Sequence, residues 1–387
     1  MARKVARYLN WLGVPAKVFN VGNYRREHLG PAQPAAFFDP DNAQGNQARA
    51  RMADAAPRDL VAWLTAGHGR VAIYDATNTT RERRRWVVDA LDRAGVPAIF
   101  IESVCTDPTV VQANVRETKV RMPDYADADP QAAVADFRAR IEHYSRHYEP
   151  LDDSDRELSW VKLIDVGERV VLNRIRGSLA SRIVFFLTNL HLTPRSVYLM
   201  RHGQSVYNVT GKLGGDSSLA EAGRAFATQL AGWLPARLGE GPVVWTSTLQ
   251  RTIETAAPLP YPKVQLRNLD EIDAGVCDGW TYAEIAARLP EEAAARKADK
   301  LRYRYPRGES YLDLIERLDP VIIELERQRT PLVIVAHQAV LRCLYGYVAN
   351  LAPAACPHLD MPLHTVIELI PHAYGADERR HPLAPVH

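Results

Sequence analysis

Two histidines stand at the ends of two apolar runs. His202 follows SVYLMR, and His337 follows PLVIVA. Short uninterrupted runs of this kind are consistent with strands buried on both faces, and open α/β sheets place their ligands beyond the C-terminal ends of such strands. Arg201 precedes the first histidine. Thr246 and Ser247 close a third run, VVW, with Arg251 one helical turn further on. Where these strand ends converge, two imidazoles and two guanidinium groups form a cationic, metal-free cluster, which suits a phosphoryl group. Histidine can attack phosphorus and hold the group covalently, splitting one hard step into two. Arg201, Arg251 and His337 would then stabilise charge on the equatorial oxygens. The leaving alkoxide needs a proton, and Glu271 in LDEIDAGVCDGW is the candidate donor.

These residues need a scaffold, and the C-terminal half supplies one. Ser218 with Glu221 predicts a capping box opening a helix that carries Leu219, Ala222, Phe226 and Leu230 on one face. Pro242 to Thr246 predicts a strand, Thr281 with Glu284 another capped helix, and Pro331 to Ala336 a final buried strand. The N-terminal half is α/β as well. Val5, Tyr8, Leu9 and Leu12 share a helical face, Gly13 and Pro15 end the helix, and Lys17 to Val21 predict a buried strand. An echo follows in GRVAIYDATNTTRERRRWVVDALDRAGVPAIFIESV, where Thr79 with Glu82 predicts a capping box and Gly95 a helix stop. In this second copy a strand precedes the helix; in the first none does. Strands near 17–21, 71–75, 98–102 and 161–165, alternating with helices, predict a mostly parallel sheet. PDYADADP (123–130) has the composition of a loop, SLASRIVFFLTNLHL that of a packing helix, and Thr193-Pro194 marks a boundary between domains 1–193 and 194–387.

Composition narrows the function classes. The 387 residues suffice for two domains. A net charge of +2 gives no general basic surface, so neither nucleic acid nor membrane is an expected partner. No apolar run approaches the roughly 20 residues that span a bilayer. Cys105, Cys277, Cys343 and Cys356 form no CxxC pair, a pattern that suits the reducing cytoplasm.

The motifs YLMRHGQSVYN, WTSTLQRTIETA, LDEIDAGVCDG and VIVAHQAVLRCL resemble, in order and spacing, the histidine phosphatase superfamily, the phosphoglycerate-mutase-like group. GGDSSL, TYAEI, YRYPRGESYLDLIERLDPVIIELER and PLHTV resemble its fructose-2,6-bisphosphatase branch. KVFNVGNYRRE, YDATNTTRERR, FIESVCTDP and MPDYADADP resemble the 6-phosphofructo-2-kinase domain. Together they span essentially the whole chain, which is similar to the bifunctional family that makes and breaks fructose 2,6-bisphosphate. The resemblance implies hydrolysis of fructose 2,6-bisphosphate to fructose 6-phosphate, which controls glycolysis and gluconeogenesis. By that resemblance His202 is the nucleophile and Glu271 the proton donor, while Arg201, Arg251, Asn208 and His337 surround the transferred phosphoryl group. Gly214, Tyr282, Arg296, Lys300, Tyr311, Gln338 and Arg342 would hold the 6-phosphate and sugar, Arg296 and Lys300 sharing one helix face at i, i+4. In the kinase-like half, Arg25, Arg49, Thr77, Arg83, Lys119, Arg140 and Tyr144 would meet fructose 6-phosphate. Asp75 and Cys105 occupy catalytic positions, and NVRETK (Asn114 to Lys119) matches an ATP-contacting helix. The run RERRR (81–85) is equally a solvated first helical turn.

One element is missing from these 387 residues. ATP-dependent phosphoryl transfer of this type needs a GxxxxGK[ST] turn between the first strand and first helix, and none occurs. The expected fold is therefore an N-terminally truncated P-loop NTPase-like parallel sheet followed by a phosphoglycerate-mutase-like α/β domain. The leading expectation is a phosphatase needing no cofactor or metal, with ATP and magnesium relevant only if the loop exists upstream of Met1. The alternatives are a full bifunctional kinase and phosphatase, or an N-terminal fructose 6-phosphate-binding module. A homodimer is left open.

Overall fold

The computed structural model describes residues 1–31, 33–39, 41–115, 123–125, 129–191, 195–372 and 375–383. The chain forms two compact units: Met1–Asn10 with Val14–Leu192, and Trp11–Gly13 with Thr193–His387.

The first unit carries helices α1 (Ala2–Trp11), α2 (Val21–Leu29), α3 (Ala43–Thr65), α4 (Arg81–Asp92), α5 (Pro108–Asn114), α6 (Pro130–Ser145) and α7 (Ser178–Thr188). Its strands are β1 (Ala16–Asn20), β2 (Val71–Asp75), β3 (Phe100–Val104), β4 (Trp160–Ile164) and β5 (Arg169–Asn173). As the spacing predicted, Val5, Tyr8 and Leu9 are buried, and Tyr8 stacks on Phe186 with ring centroids 4.3 Å apart. The helix stops before Gly13, whose φ of 77° favours glycine. β1 ends one residue earlier than expected because the Asn20 side chain accepts from the Asn23 amide (3.0 Å) and caps α2. α4 likewise starts later than expected. Its cap is Thr80, not Thr79, so Glu82 sits too early in the helix for a capping box.

The expected single parallel sheet is two sheets among the described residues. β1 pairs with β2 in parallel, and β3 pairs with β4 in parallel while β5 returns antiparallel. No described strand bridges β2 and β3, so each keeps an edge free of ladder partners. β2 is only half-buried along its length, and Ile101 on β3 is 39% exposed. The two sheets still share a core, in which Phe19, Leu60, Val87 and Leu91 pack with Tyr74, Trp86 and Phe100. PDYADADP is not wholly loop: residues 123–125 form a 3₁₀ turn and Pro130 opens α6, while 126–128 lie outside the described residues. Thr193 and Pro194 also lie outside them.

The second unit is built on a six-stranded sheet of β6 (Val197–Arg201), β7 (Val243–Thr246), β8 (Lys263–Gln265), β9 (Leu332–Ala336), β10 (Thr365–His372) and β11 (Gly375–Pro382). Its order is β11-β10-β6-β9-β7-β8, with β6, β9, β7 and β8 parallel. All five residues of β9 are fully buried, which is why its sequence is an unbroken apolar run rather than an alternating one. β9 is not the last strand: β10 and β11 follow as an antiparallel pair on the β6 edge. Around the sheet run α8 (Val206–Thr210), α9 (Glu221–Leu238), α10 (Gln250–Ala256), α11 (Tyr282–Arg288), α12 (Pro290–Ala298), α13 (Tyr311–Arg317), α14 (Asp319–Arg327) and α15 (Gln338–Val348). Phe226, Leu230 and Leu234 of α9 pack on Tyr198, Met200 and Val333. Their burial contributes roughly 1.5–3 kcal/mol each.

The predicted cap of α9 fails. Its cap is Ala220, without a side-chain bond, because Ser218 and Leu219 are drawn into extended pairing: Leu219 bridges Ser205, and its amide donates to Glu254 (2.7 Å). The box at Thr281 and Glu284 is present as expected. α12 ends at Ala298, so Arg296 and Lys300 do not share a helix face; Asp299 leaves helical geometry and its carboxylate accepts the Arg302 amide (3.0 Å). Among the described residues, no helix is long and apolar enough to cross a membrane.

Candidate active site

Strand register brings the two histidines together. Arg201 on β6 lies opposite Ala336 on β9, so the residue after each is a histidine at the same sheet edge, and the His202 amide donates to the Ala336 carbonyl (3.0 Å). Their ring centroids are 5.1 Å apart. From α10, next to β7, Arg251 Nε points between them, 3.2 Å from His202 Nε2 and 3.3 Å from His337 Nδ1.

The partners fix the tautomers. His202 Nδ1 lies 2.8 Å from the Gly203 carbonyl, which can only accept, so Nδ1 carries the proton and Nε2 keeps its lone pair toward the cavity. His337 accepts from Arg251 at Nδ1 and donates from Nε2 to Ser247 Oγ (2.7 Å). Burial, and then the Arg251 charge, lowers His202 from 6.5 to about 3 and lowers His337 well below the ordinary imidazole value. Both rings are therefore neutral near pH 7.

Close glycine packing shapes the loop after His202. A Cβ on Gly203 would lie 2.5 Å from the Gly223 carbonyl, and one on Gly223 would lie 2.2 Å from the Gln204 carbonyl. The loop therefore rests directly on the first turn of α9.

A cavity of about 220 Å³ opens over these groups. Arg201, His202, Asn208, Arg251 and Glu271 line it. Asn208 Oδ1 accepts the Ser205 amide, a capping interaction that orients its side chain. Arg201 Nε is buried without a hydrogen-bond partner among the described residues. The Glu271 carboxylate accepts the Ala339 amide (3.2 Å) in the first turn of α15, two residues beyond His337. Gly214, Tyr282, Arg296, Lys300, Tyr311, Gln338 and Arg342 line it as well. Arg296 donates to the Tyr282 hydroxyl (3.0 Å), Arg342 to the Tyr311 hydroxyl (3.2 Å), and Lys300 to the Pro357 carbonyl (2.8 Å). Every phosphatase-half residue singled out from the sequence other than His337 lines this cavity, and His337 touches Arg251 beneath it. Lys212, Tyr303 and Tyr305 line it too and went unnoticed. YRYP sits in a segment without helix or strand, so no periodicity marked its tyrosines. With six cations and one carboxylate on its walls, the cavity suits an anionic substrate.

The first unit brings only part of its expected set together. Phe38 is the hub. Arg25 lies 5.4 Å and Arg140 4.2 Å from its ring centroid, Tyr144 stacks obliquely at 6.3 Å, and Arg49 donates to its carbonyl (2.7 Å). Arg25 is buried and donates to both Asp124 oxygens, and its Nη1 has no hydrogen-bond partner among the described residues. Arg83 lies apart, donating to the Tyr74 hydroxyl (2.7 Å) and stacking on Trp86, and Thr77 is exposed. Asp75 accepts from Asn20 (2.6 Å), and Cys105 is half-buried after β3. The Asn114 side chain and Lys119 lie outside what is described. Within RERRR, Arg84 is neither solvated nor available: it is buried against Asp155 (2.9 Å), while Arg81 pairs with Asp152 (2.8 Å) and Arg85 is exposed. No group of three or more His, Cys, Asp or Glu able to hold a metal ion occurs among the described residues.

Comparison with known proteins matches both units. Residues 1–194 match the 6-phosphofructo-2-kinase family, and residues 197–381 match the histidine phosphatase superfamily (branch 1). A Gallus gallus protein named 6-phosphofructo-2-kinase/fructose-2,6-bisphosphatase is 48% identical over 378 residues, covering 97% of this chain and 80% of the relative. The Rattus norvegicus form 3 is 50% identical over 377 residues (97% and 68%). The Homo sapiens form 4 is 49% identical over 376 residues (97% and 80%).

Proposed function

The chain belongs to the 6-phosphofructo-2-kinase/fructose-2,6-bisphosphatase family, and we propose that its second unit hydrolyses fructose 2,6-bisphosphate to fructose 6-phosphate and phosphate through a phosphohistidine on His202. The observation that carries this is the buried, neutral His202 ring, whose unprotonated Nε2 faces the cavity beside Arg251. The Nε2 lone pair attacks the 2-phosphorus, the bond from phosphorus to the sugar oxygen breaks, and that oxygen leaves with the bonding electrons. Arg201, Arg251, Asn208 and neutral His337 stabilise the transferring oxygens, and the Glu271 carboxyl gives a proton to the sugar oxygen. Water then attacks the phosphohistidine, losing a proton to the Glu271 carboxylate and returning the Nε2 lone pair. The 6-phosphate and sugar rest against Arg296, Lys300, Arg342, Tyr282, Tyr311, Gln338 and the Gly214 backbone.

Replacing His202 tests this. His202→Ala is expected to lose turnover by at least about a thousandfold, and the parent protein to yield an acid-labile phosphohistidine during turnover. Full turnover in His202→Ala would refute the mechanism.

For the first unit, the cluster around Phe38 supports binding of fructose 6-phosphate, with the spare Arg25 Nη1 as a phosphate donor. Calorimetric titration of fructose 6-phosphate into parent and Arg25→Ala protein tests it; equal affinities would count against it. Its match to the 6-phosphofructo-2-kinase family supports ATP as a further ligand. Transfer from ATP also needs a phosphate-cradling loop of the GxxxxGK[ST] type, which these 387 residues do not contain.

A further inference from the structure

Glu271 lies between two 3₁₀ turns, in a stretch with neither helix nor strand to hold it. A general acid must nevertheless sit within hydrogen-bond reach of one oxygen. Much of the backbone before it is held by the guanidinium at the end of α13. Arg317 Nη1 donates to the carbonyls of Asn268 (2.8 Å) and Asp270 (3.1 Å), and Nη2 donates to Asp270 (3.0 Å) and, more weakly, to Glu271 itself (3.4 Å). Its Nε and Nη2 form a two-point ion pair with Glu309 (2.8 and 2.9 Å). Glu309 in turn holds the far side of the loop: its carboxylate accepts the Asp273 amide (3.0 Å), and its own amide donates to the Asp273 carbonyl (2.9 Å). The Arg317 carbonyl closes the circuit by accepting from Asn268 Nδ2 (2.7 Å). Neither Arg317 nor Glu309 lines the cavity.

We propose that Arg317 and Glu309 form a clamp that positions the proton donor Glu271, acting on the reaction chiefly through that carboxyl group. The inference rests on the phosphatase reading above. Every hydrogen-bonding nitrogen of Arg317 is committed, and the two acceptor faces, loop carbonyls and Glu309 carboxylate, need a planar fork. A lysine, with one compact ammonium on a flexible stem, cannot serve both. The clamp is also linked to the cavity wall through its own helix, because α13 begins with Tyr311, which lines the cavity, and ends with Arg317.

A clamp of this kind has a signature that general structural support lacks. The proton from Glu271 matters when an alkoxide leaves and hardly at all when a stabilised phenolate leaves. Rates of phosphohistidine formation are therefore compared for fructose 2,6-bisphosphate and p-nitrophenyl phosphate, in the parent and in Arg317→Met, Arg317→Lys and Glu271→Gln. Arg317→Met is expected to lose roughly ten- to a hundredfold on the sugar phosphate and less than about threefold on the aryl ester. Arg317→Lys should follow Arg317→Met, Glu271→Gln should show the same selectivity, and adding Arg317→Met to Glu271→Gln should cost little more. Equal losses on both substrates in a folded variant, or additive losses in the double variant, would overturn the proposal. If Arg317→Met does not fold, Glu309→Gln, which keeps an acceptor but removes the ion pair, carries the same expectation. Absence of phosphohistidine from either substrate in the parent protein would instead sink the phosphatase reading itself.

Discussion

Raising the pH should loosen the grip of the cavity on a distal phosphate through one amine. Lys300 is partly buried, and burial, followed by the charges of Arg342 and Arg296, lowers it from 10.5 to about 8. The charged amine attracts a phosphate and the neutral amine does not. Its contribution to binding is thus present below pH 8 and lost as the pH rises through 8. Bound phosphate favours the ammonium, so the pKa in the complex lies higher than in the free protein. KM then scales as (1 + 10^(pH − 8))/(1 + 10^(pH − pKbound)). If the complex recovers about 1.5 of the roughly 2.5 lost units, KM rises about 15-fold between pH 7 and 9.5, or ~1.6 kcal/mol. Screening at a partly exposed amine brings the expectation to about tenfold. Initial rates over a range of substrate concentrations from pH 6.5 to 9.5 measure it, with kcat extracted separately. Lys300→Met should show a KM raised about tenfold at pH 7 and flat thereafter. A parent KM that stays within about twofold across the range, or a Lys300→Met protein that keeps the rise, would refute the reasoning.

Three further outcomes are expected. With His202 lowered to about 3, its Nε2 stays unprotonated well below neutrality; phosphohistidine formation from an aryl phosphate, followed by rapid quench, should show no loss near pH 6.5 from protonation of the nucleophile. Gly223→Ala, which helix propensity alone would favour by about 1 kcal/mol, should instead cut kcat at least about tenfold, because its Cβ would strike the Gln204 carbonyl and shift the loop carrying His202; unchanged kcat would refute this. Asp155→Ala leaves Arg84 buried without its carboxylate and should destabilise the first unit by about 3 kcal/mol, the low end for a broken buried pair, since the Glu149 carbonyl still accepts from Arg84; urea unfolding followed by tryptophan fluorescence reads it.

The phosphatase site was legible because strand ends deliver it. An unbroken apolar run followed at once by histidine is a local pattern, and once β6 and β9 pair in register the neighbourhood of His202 and His337 follows without tertiary detail. What stayed hidden depends on contacts between distant segments. Ser218 looked like a helix cap, yet Glu254, 36 residues away, pulls the neighbouring Leu219 into extended pairing. Arg84 looked like one of several solvated arginines, and only Asp155 distinguishes it from Arg85. Arg317 falls on an ordinary amphipathic helix, and its role appears only when the carbonyls of Asn268, Asp270 and Glu271, from a separate loop, gather round it. In the first unit, the echo between LGVP and AGVP located β1 and β3 to within three residues, but alternation of strands and helices could not reveal that β2 and β3 belong to different sheets.

On the proposed mechanism, the same burial that keeps His202 unprotonated for attack also makes it depend on Arg251. A neutral imidazole in a cavity lined by cations keeps its Nε2 unprotonated at any ordinary pH, but nothing in the ring itself attracts an anion. Arg251 supplies that attraction, and its Nε–H is shared between two ring nitrogens at 3.2 and 3.3 Å, longer than the mode for an N–H donor. Its Nη1 is meanwhile tied to the Gly215 carbonyl (2.7 Å), and Gly215 is held through its amide by Asp278 (2.8 Å). The guanidinium is thus anchored on the side away from the histidines and loosely held on the side facing them. An arriving phosphoryl oxygen can take the shared Nε–H for a stronger charge-assisted bond, and giving up two stretched contacts frees the His202 lone pair as the phosphorus comes within reach. Recruitment of Arg251 and release of the nucleophile are then one movement of a single donor, which requires no change in the protonation of either histidine.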